Sequence, residues 1–309
     1  MFQHILVPVD GTPRSEESLS IALELAMESH ARVVLLRVEP EHVSASDVTA
    51  DHEVMQRAVE RLRAAGIDSY AIMEYDQPAE GISRAARSQR SDLIIMAPRH
   101  RGPLDGLLHP SVTAKMLSRA PAPVFIWPDQ ISGEEPLHFL RTIDSLVIVP
   151  LDGSELAEHA LPTAVEMARE YDRTLLLARV VPPVVLVDSG AETVRLAAHA
   201  QHEAEDEALH YLRRIRRHVA REYGVPIQTT LLVGDPADRL TQFVAAHPNS
   251  VIVMTTHGRT GLTKLLVGSV ASSIIQHTTA PVVIVPYHHE DVAIYNAQDR
   301  EDTTGPANR

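Results

Sequence analysis

Two short runs carry the residue types from which a phosphate-bearing ligand could be held. One is Val149–Pro150–Leu151–Asp152–Gly153–Ser154, where an apolar stretch gives way to an acid, a glycine and a hydroxyl. The other is MTTHGRTGLTKLLVGSV, which begins at Met254. Within it Gly258 and Gly268 are separated by nine residues, and Ser269 follows at the start of a helical pattern. Glycine lets backbone N–H groups come close to phosphate oxygens. A helix N-terminus adds unpaired donors and a favourable dipole. Ser269 can donate a hydroxyl hydrogen bond, and Asp152 can hold a ribose hydroxyl or a metal carried by phosphates. Spacing alone leaves a plainer alternative open, with Gly258 and Gly261 as turn residues and Ser269 as a helix N-cap. The G-x-x-x-x-G-K-[ST] and G-x-G-x-x-G signatures are absent.

The elements that position these runs occur twice. HILVPVDGTPRSEESLSIALELA from His4 matches LVIVPLDGSELAEHALPTAVEMA from Leu146 at an offset of 142, so Asp10 falls on Asp152 and Thr12 on Ser154. DLIIMAPRHRGPLDGLLHPSV matches SVIVMTTHGRTGLTKLLVGSV at an offset of 158, and the copies close with APVFIWP and APVVIVP. The second copy therefore carries extra residues in its middle. This is a tandem duplication of a unit of roughly 140 residues. Domains are expected over 1–128 and 144–287, with a linker over 129–143 and a disordered tail over 288–309.

Each copy alternates strand and helix. In the first, strands are expected at Ile5–Val9, Arg32–Val38, Tyr70–Glu74, Leu93–Met96 and Val124–Ile126. Helices are expected at Arg14–Ser29, Glu53–Ala65, Ala79–Ser88 and Ser111–Arg119, with Thr12 or Ser15 as an N-cap and Gly66 as a C-cap. The middle helix of the second copy is longer, with one apolar stripe of Ala208, Leu212, Ile215 and Val219. Regular βαβ alternation dictates an α/β fold, a parallel sheet with helices on both faces.

Composition excludes several function classes. With 28 Lys+Arg against 41 Asp+Glu, the net charge of −13 argues against nucleic acid or anionic membrane as partners. The absence of cysteine removes disulfides, thiolate metal sites and Cys nucleophiles. The 17 histidines are scattered and no H-x-x-x-H pair occurs, so a structural metal is not expected. The apolar runs are far short of a membrane span, and MFQHILVPVD reads as a strand rather than a signal peptide. A soluble, acidic, cytoplasmic protein is expected.

The chain resembles the universal stress protein family in its tandem form. The resemblance rests on VPVDGT and VPLDGS after the first strand, on MTTHGRTGLTKLLVGSV and on the closing APVVIVP, and it covers nearly all of 1–286. It implies two tandem open twisted five-stranded sheets of order 3-2-1-4-5, like those of adenine-nucleotide alpha-hydrolases. It also implies ATP as ligand, with Mg²⁺ carried by the phosphates and Asp152. The family's ATP-binding branch shows G-x2-G-x9-G-[ST]. Here Gly258, Gly268 and Ser269 fit, while Thr255 stands at the first glycine position and is expected to crowd the ligand. By matching position, Pro150, Asp152 and Val180 would line adenine and ribose, Met254 and Thr255 would flank ribose, and Gly258, Arg259, Gly268, Ser269 and Val270 would hold phosphates.

The first copy departs further. His100 stands where Gly258 does, and Pro110 stands where Gly268 does, which deletes a backbone donor. Nucleotide is therefore expected mainly in the second copy. The family also commonly pairs its fifth strand across a dimer, and Val124–Ile126 with Val282–Val285 can do so within one chain. Homodimers of whole chains and a regulatory protein partner stay open. No residue is assigned a catalytic role. The leading reading is a nucleotide-binding stress-response protein. The alternatives are a slow ATPase or other adenine-nucleotide hydrolase, and a scaffold that binds nothing.

Overall fold

The computed structural model describes residues 2–39, 45–98, 112–128, 145–185, 190–256 and 267–287. The first copy runs β1 (His4–Pro8), α1 (Pro13–Ser29), β2 (Arg32–Glu39), α2 (Ala45–Ala64), β3 (Ser69–Tyr75), α3 (Pro78–Ser88), β4 (Leu93–Met96), α4 (Val112–Leu117) and β5 (Val124–Ile126). The second runs β6 (Leu146–Pro150), α5 (Glu155–Glu158), α6 (Leu161–Glu170), β7 (Thr174–Val181), α7 (Ala191–Tyr223), β8 (Ile227–Val233), α8 (Pro236–Ala245), β9 (Ser250–Thr255), α9 (Ser269–His277) and β10 (Val282–Val285). The expected linker and tail lie outside the described residues.

All ten strands form one sheet, in the order β3-β2-β1-β4-β5-β10-β9-β6-β7-β8. Each half has the expected order 3-2-1-4-5 and is parallel throughout. The pairing of the two fifth strands that the sequence allows within one chain is present and joins the two five-stranded sheets. β5 and β10 pair antiparallel, Val283 opposite Phe125, and fuse the halves into a mixed sheet. Each of these strands would otherwise expose a row of backbone donors and acceptors.

Strand residues alternate between two cores. Ile5, Val7, Leu93, Ile95, Phe125, Val149, Val253 and Val283 face α1, α2, α6 and α7. Leu6, Ile94, Met96, Ile126, Ile148, Met254 and Ile284 face α3, α4, α8 and α9. Both cores run across the β5–β10 seam. In α7 the four buried residues are Ala208, Leu212, Ile215 and Val219, the stripe read from the sequence. α2 begins at Ala45, well before the expected Glu53, because its first turns lack the apolar period that marks the rest. Thr12 is the N-cap of α1, and Gly66 takes φ +83° at the end of α2.

Phe125 is fully buried at the seam. Phe125→Ala is expected to cost about 3–5 kcal/mol of stability. Denaturant unfolding of the intact chain measures this, and a loss below about 1 kcal/mol would show that the seam does not hold the fold together.

Candidate functional site

Both copies of the Asp-Gly-[Ser/Thr] run fold into the same turn. After Leu151 donates to Ala178 O at 2.8 Å, the chain leaves the sheet. Asp152 Oδ1 then accepts the Ser154 amide at 2.9 Å and the Ser154 hydroxyl at 2.5 Å. Ser154 Oγ in turn accepts the Ala157 amide at 3.2 Å and caps α5. Between them Gly153 sits at φ +89°, a conformation that favours glycine. In the first copy Asp10 Oδ1 accepts from Thr12 N at 3.1 Å, with Gly11 at φ +76°. The carboxylate is thus pinned at the carboxyl end of the strand before any ligand arrives.

β6 lies between β7 and β9, so the chain reverses its order there. The connection after β6 goes to one face of the sheet, where Ala157 and Leu161 are buried. The helix after β9 lies on the other face, where Ala271 and Ile274 are buried. Divergence of this kind opens a crevice at the strand ends. Val180 and Met254 belong to the α9 face. By strand alternation Pro150, half-buried at the end of β6, shares that face. Thr255 alternates to the opposite face and is buried in register with Val285. Its side chain therefore does not crowd the α9 side, contrary to the expectation from sequence.

The start of α9 forms the other wall. Gly268 is the N-cap at φ −64°, ψ 157°, and no side chain caps the helix. Its own N–H donates to Thr256 O at 2.7 Å. The sequence reading gave this amide to a phosphate. The extended N-cap conformation instead turns it back onto the end of β9. The amides of Ser269, Val270 and Ala271 have no hydrogen-bond partner among the described residues. Ser269 is exposed, and Val270 packs against the core beneath. Gly258, Arg259 and His257 lie outside the described residues, as do Arg99, His100, Arg101, His109, Pro110 and Ser111 of the first copy. No group of three or more His, Asp or Glu placed to hold a metal occurs among the described residues. A cation at Asp152 would need ligands from elsewhere.

One cluster escaped the sequence reading. Arg179 of β7 is nine-tenths buried beneath the Gly153 turn, and a Cβ on Gly153 would collide with its guanidinium. That guanidinium lies 4.7 Å from the Tyr211 ring centre, and Arg214 covers the same ring at 5.3 Å. Arg214 also pairs with Glu158 at 3.1 Å. Burial, and secondarily the Glu158 carboxylate, push the Tyr211 phenol up from its ordinary value. The available signal was an arginine inside the otherwise apolar strand TLLLARVV.

The chain is similar to known proteins over most of its length. A family model described as the universal stress protein family matches residues 1–128 and 146–286. A universal stress protein of Methanocaldococcus jannaschii is 34% identical over 140 residues, 45% of this chain and 80% of that protein. One of Mycobacterium tuberculosis is 28% identical over 202 residues, 64% of this chain and 62% of that protein. Among solved structures, a universal stress protein of Archaeoglobus fulgidus superposes with a TM-score of 0.66 at 20% identity, covering 92% of this chain and 98% of that one.

Two expectations follow from the turn and the stack. Gly11→Ala should cost about 1 kcal/mol for its left-handed backbone alone. Gly153→Ala should cost more, because it must also displace Arg179 from Tyr211. Paired thermal melts compare them, and equal losses would mean that the arginine does not brace the turn. Tyr211 keeps its proton when folded, so the stability it contributes is complete below about pH 10 and falls as pH rises beyond that. Tyr211→Phe keeps the ring against the arginines and removes that titration. Its stability should decline less steeply above about pH 10 than the parent's, as followed by alkaline unfolding.

Proposed function

The chain belongs to the universal stress protein family, and on that footing we propose that its second half binds ATP in the crevice between the ends of β6 and β9. The observation that carries this is the start of α9, where three amides have no partner among the described residues, on the far side of a strand-order reversal from the pinned Asp152. Phosphate oxygens would take the Ser269, Val270 and Ala271 amides at the positive end of the helix dipole. Ser269 Oγ would add a donor, and Gly258 and Arg259 would close from the preceding loop. Adenine and ribose would rest on Pro150, Val180 and Met254, with Asp152 on a ribose hydroxyl. Mg²⁺, if it accompanies the nucleotide, would draw its remaining ligands from phosphate oxygens and water and would neutralise their charge.

In this reading the nucleotide is a regulatory ligand and the protein acts in the cytoplasm in response to stress. Occupancy would bias conformation or the choice of partner. The first half keeps the Asp10 turn but carries His100 and Pro110 in its loop, which supports one tight site per chain rather than two.

Calorimetric titration of the intact chain with ATP should give about one site. The Gly268 backbone angles suit any residue, and Gly268→Val retains the amide bond to Thr256 while placing a side chain in the crevice. Affinity should fall by roughly tenfold to a hundredfold, as should that of Asp152→Asn. Two equivalent sites, or unchanged affinity in a folded Gly268→Val chain, would overturn the assignment.

A further inference from the structure

On the face of the sheet away from α9 the two halves differ in what backs the glycine turn. In the second half Arg179 and Arg214 both lie over the Tyr211 ring. In the first half Arg37 occupies the position of Arg179, since both lie 142 residues apart on matching strands beneath a glycine turn. On α2 and α7 the buried pairs Met55 and Leu212, and Leu62 and Val219, are both 157 residues apart. On that register Arg57 replaces Arg214, and Val54 replaces Tyr211. Among the described residues no side chain takes the place of that ring. A cavity of about 260 Å³ remains, lined by Arg37, Arg57, Arg61, Val54, Met55 and Leu19 among others.

We propose that this cavity binds a small aromatic carboxylic acid, its ring lying against Arg37 and Arg57 as Tyr211 lies against Arg179 and Arg214. The volume falls just below the roughly 300–1,000 Å³ of drug-sized sites, which suits one ring and its acid group. Arginine faces attract an aromatic ring, and the attraction grows as the pair is desolvated. Arg37 is half of a buried pair with Glu39, so that guanidinium is already neutralised along one edge. Arg57 and Arg61 are exposed on α2 and meet no carboxylate among the described residues. They supply the positive charge at the mouth that selects an acid. Val54 stands there too, an apolar side chain 42% exposed. Met55 and Leu19 provide the apolar floor. The site lies on the opposite face from the nucleotide crevice and does not depend on that assignment.

The test is a titration of the intact chain with benzoate, read by ligand-observed NMR and calorimetry. Cyclohexanecarboxylate, which has the same acid without the aromatic ring, is the control. Benzoate should bind once per chain, and the saturated acid should bind about tenfold more weakly or less. Val54→Tyr, which rebuilds the arrangement of the second half, should abolish benzoate binding without lowering the melting temperature. Ala58→Leu, from the next turn of α2, fills the same space and should also abolish it, and it decides the matter if Val54→Tyr fails to fold. Saturating ATP should leave benzoate affinity unchanged. Absence of benzoate binding at millimolar concentration, equal affinity for the two acids, or full binding in a folded cavity-filled variant would each overturn the proposal. Displacement by ATP would also overturn it, by locating the acid in the nucleotide crevice.

Discussion

A parallel sheet buried on both faces still has two edges, and in this chain β5 and β10 cover each other. The pairing is antiparallel because the two copies meet head to head about a two-fold relation. It is short, with three registered pairs, yet Val124, Phe125, Ile126, Val282, Val283 and Ile284 are all essentially inaccessible to solvent. Each copy therefore supplies the other with an edge partner and with a share of both cores. The outer edges are left to β3 and β8, whose residues are only partly buried. Everything at the strand ends is held by this frame.

On that frame the duplicated turn does the same local work twice and different work at longer range. In both copies an aspartate ties down a hydroxyl residue that caps the next helix, and a glycine with positive φ lets the chain turn. Beneath Gly153 there is no room for a side chain, because Arg179 presses against it. Beneath Gly11 the nearest atom, on Arg37, is at ordinary contact distance. The second turn is thus backed by two arginines lying over one ring, and the first by an ion pair beside a cavity. The difference originates in a helix, where one copy has tyrosine and the other valine.

Much of this was legible in the sequence. The hydrophobic runs fixed the strands because buried parallel strands must be apolar on both faces. The stripe of α7 marked its buried side because a helix meets a sheet along one face. β4 and β5 were read to the residue. What escaped was set by contacts distant in sequence. Arg179 and Tyr211 find each other across a strand and a long helix, and no local period encodes that meeting. Thr255 was read as crowding the ligand, but strand alternation sends its side chain to the other face. Gly268 was read as a phosphate donor, but its amide completes the exit from β9.

A glycine at a helix start can serve through its N–H, through its backbone angles or through the side chain it lacks. Here the N–H is engaged and the angles are ordinary, so only the missing side chain remains as the reason for glycine. A missing side chain matters only where something else must come close. The Gly268 amide, held by Thr256 O, fixes the first turn of α9 relative to β9. The donors that remain, at Ser269, Val270 and Ala271, then have a fixed direction without a side-chain cap to occupy them. The proposed phosphate subsite thus rests on two features of the same strand end: a residue without a side chain at Gly268 and a helix without a side-chain cap.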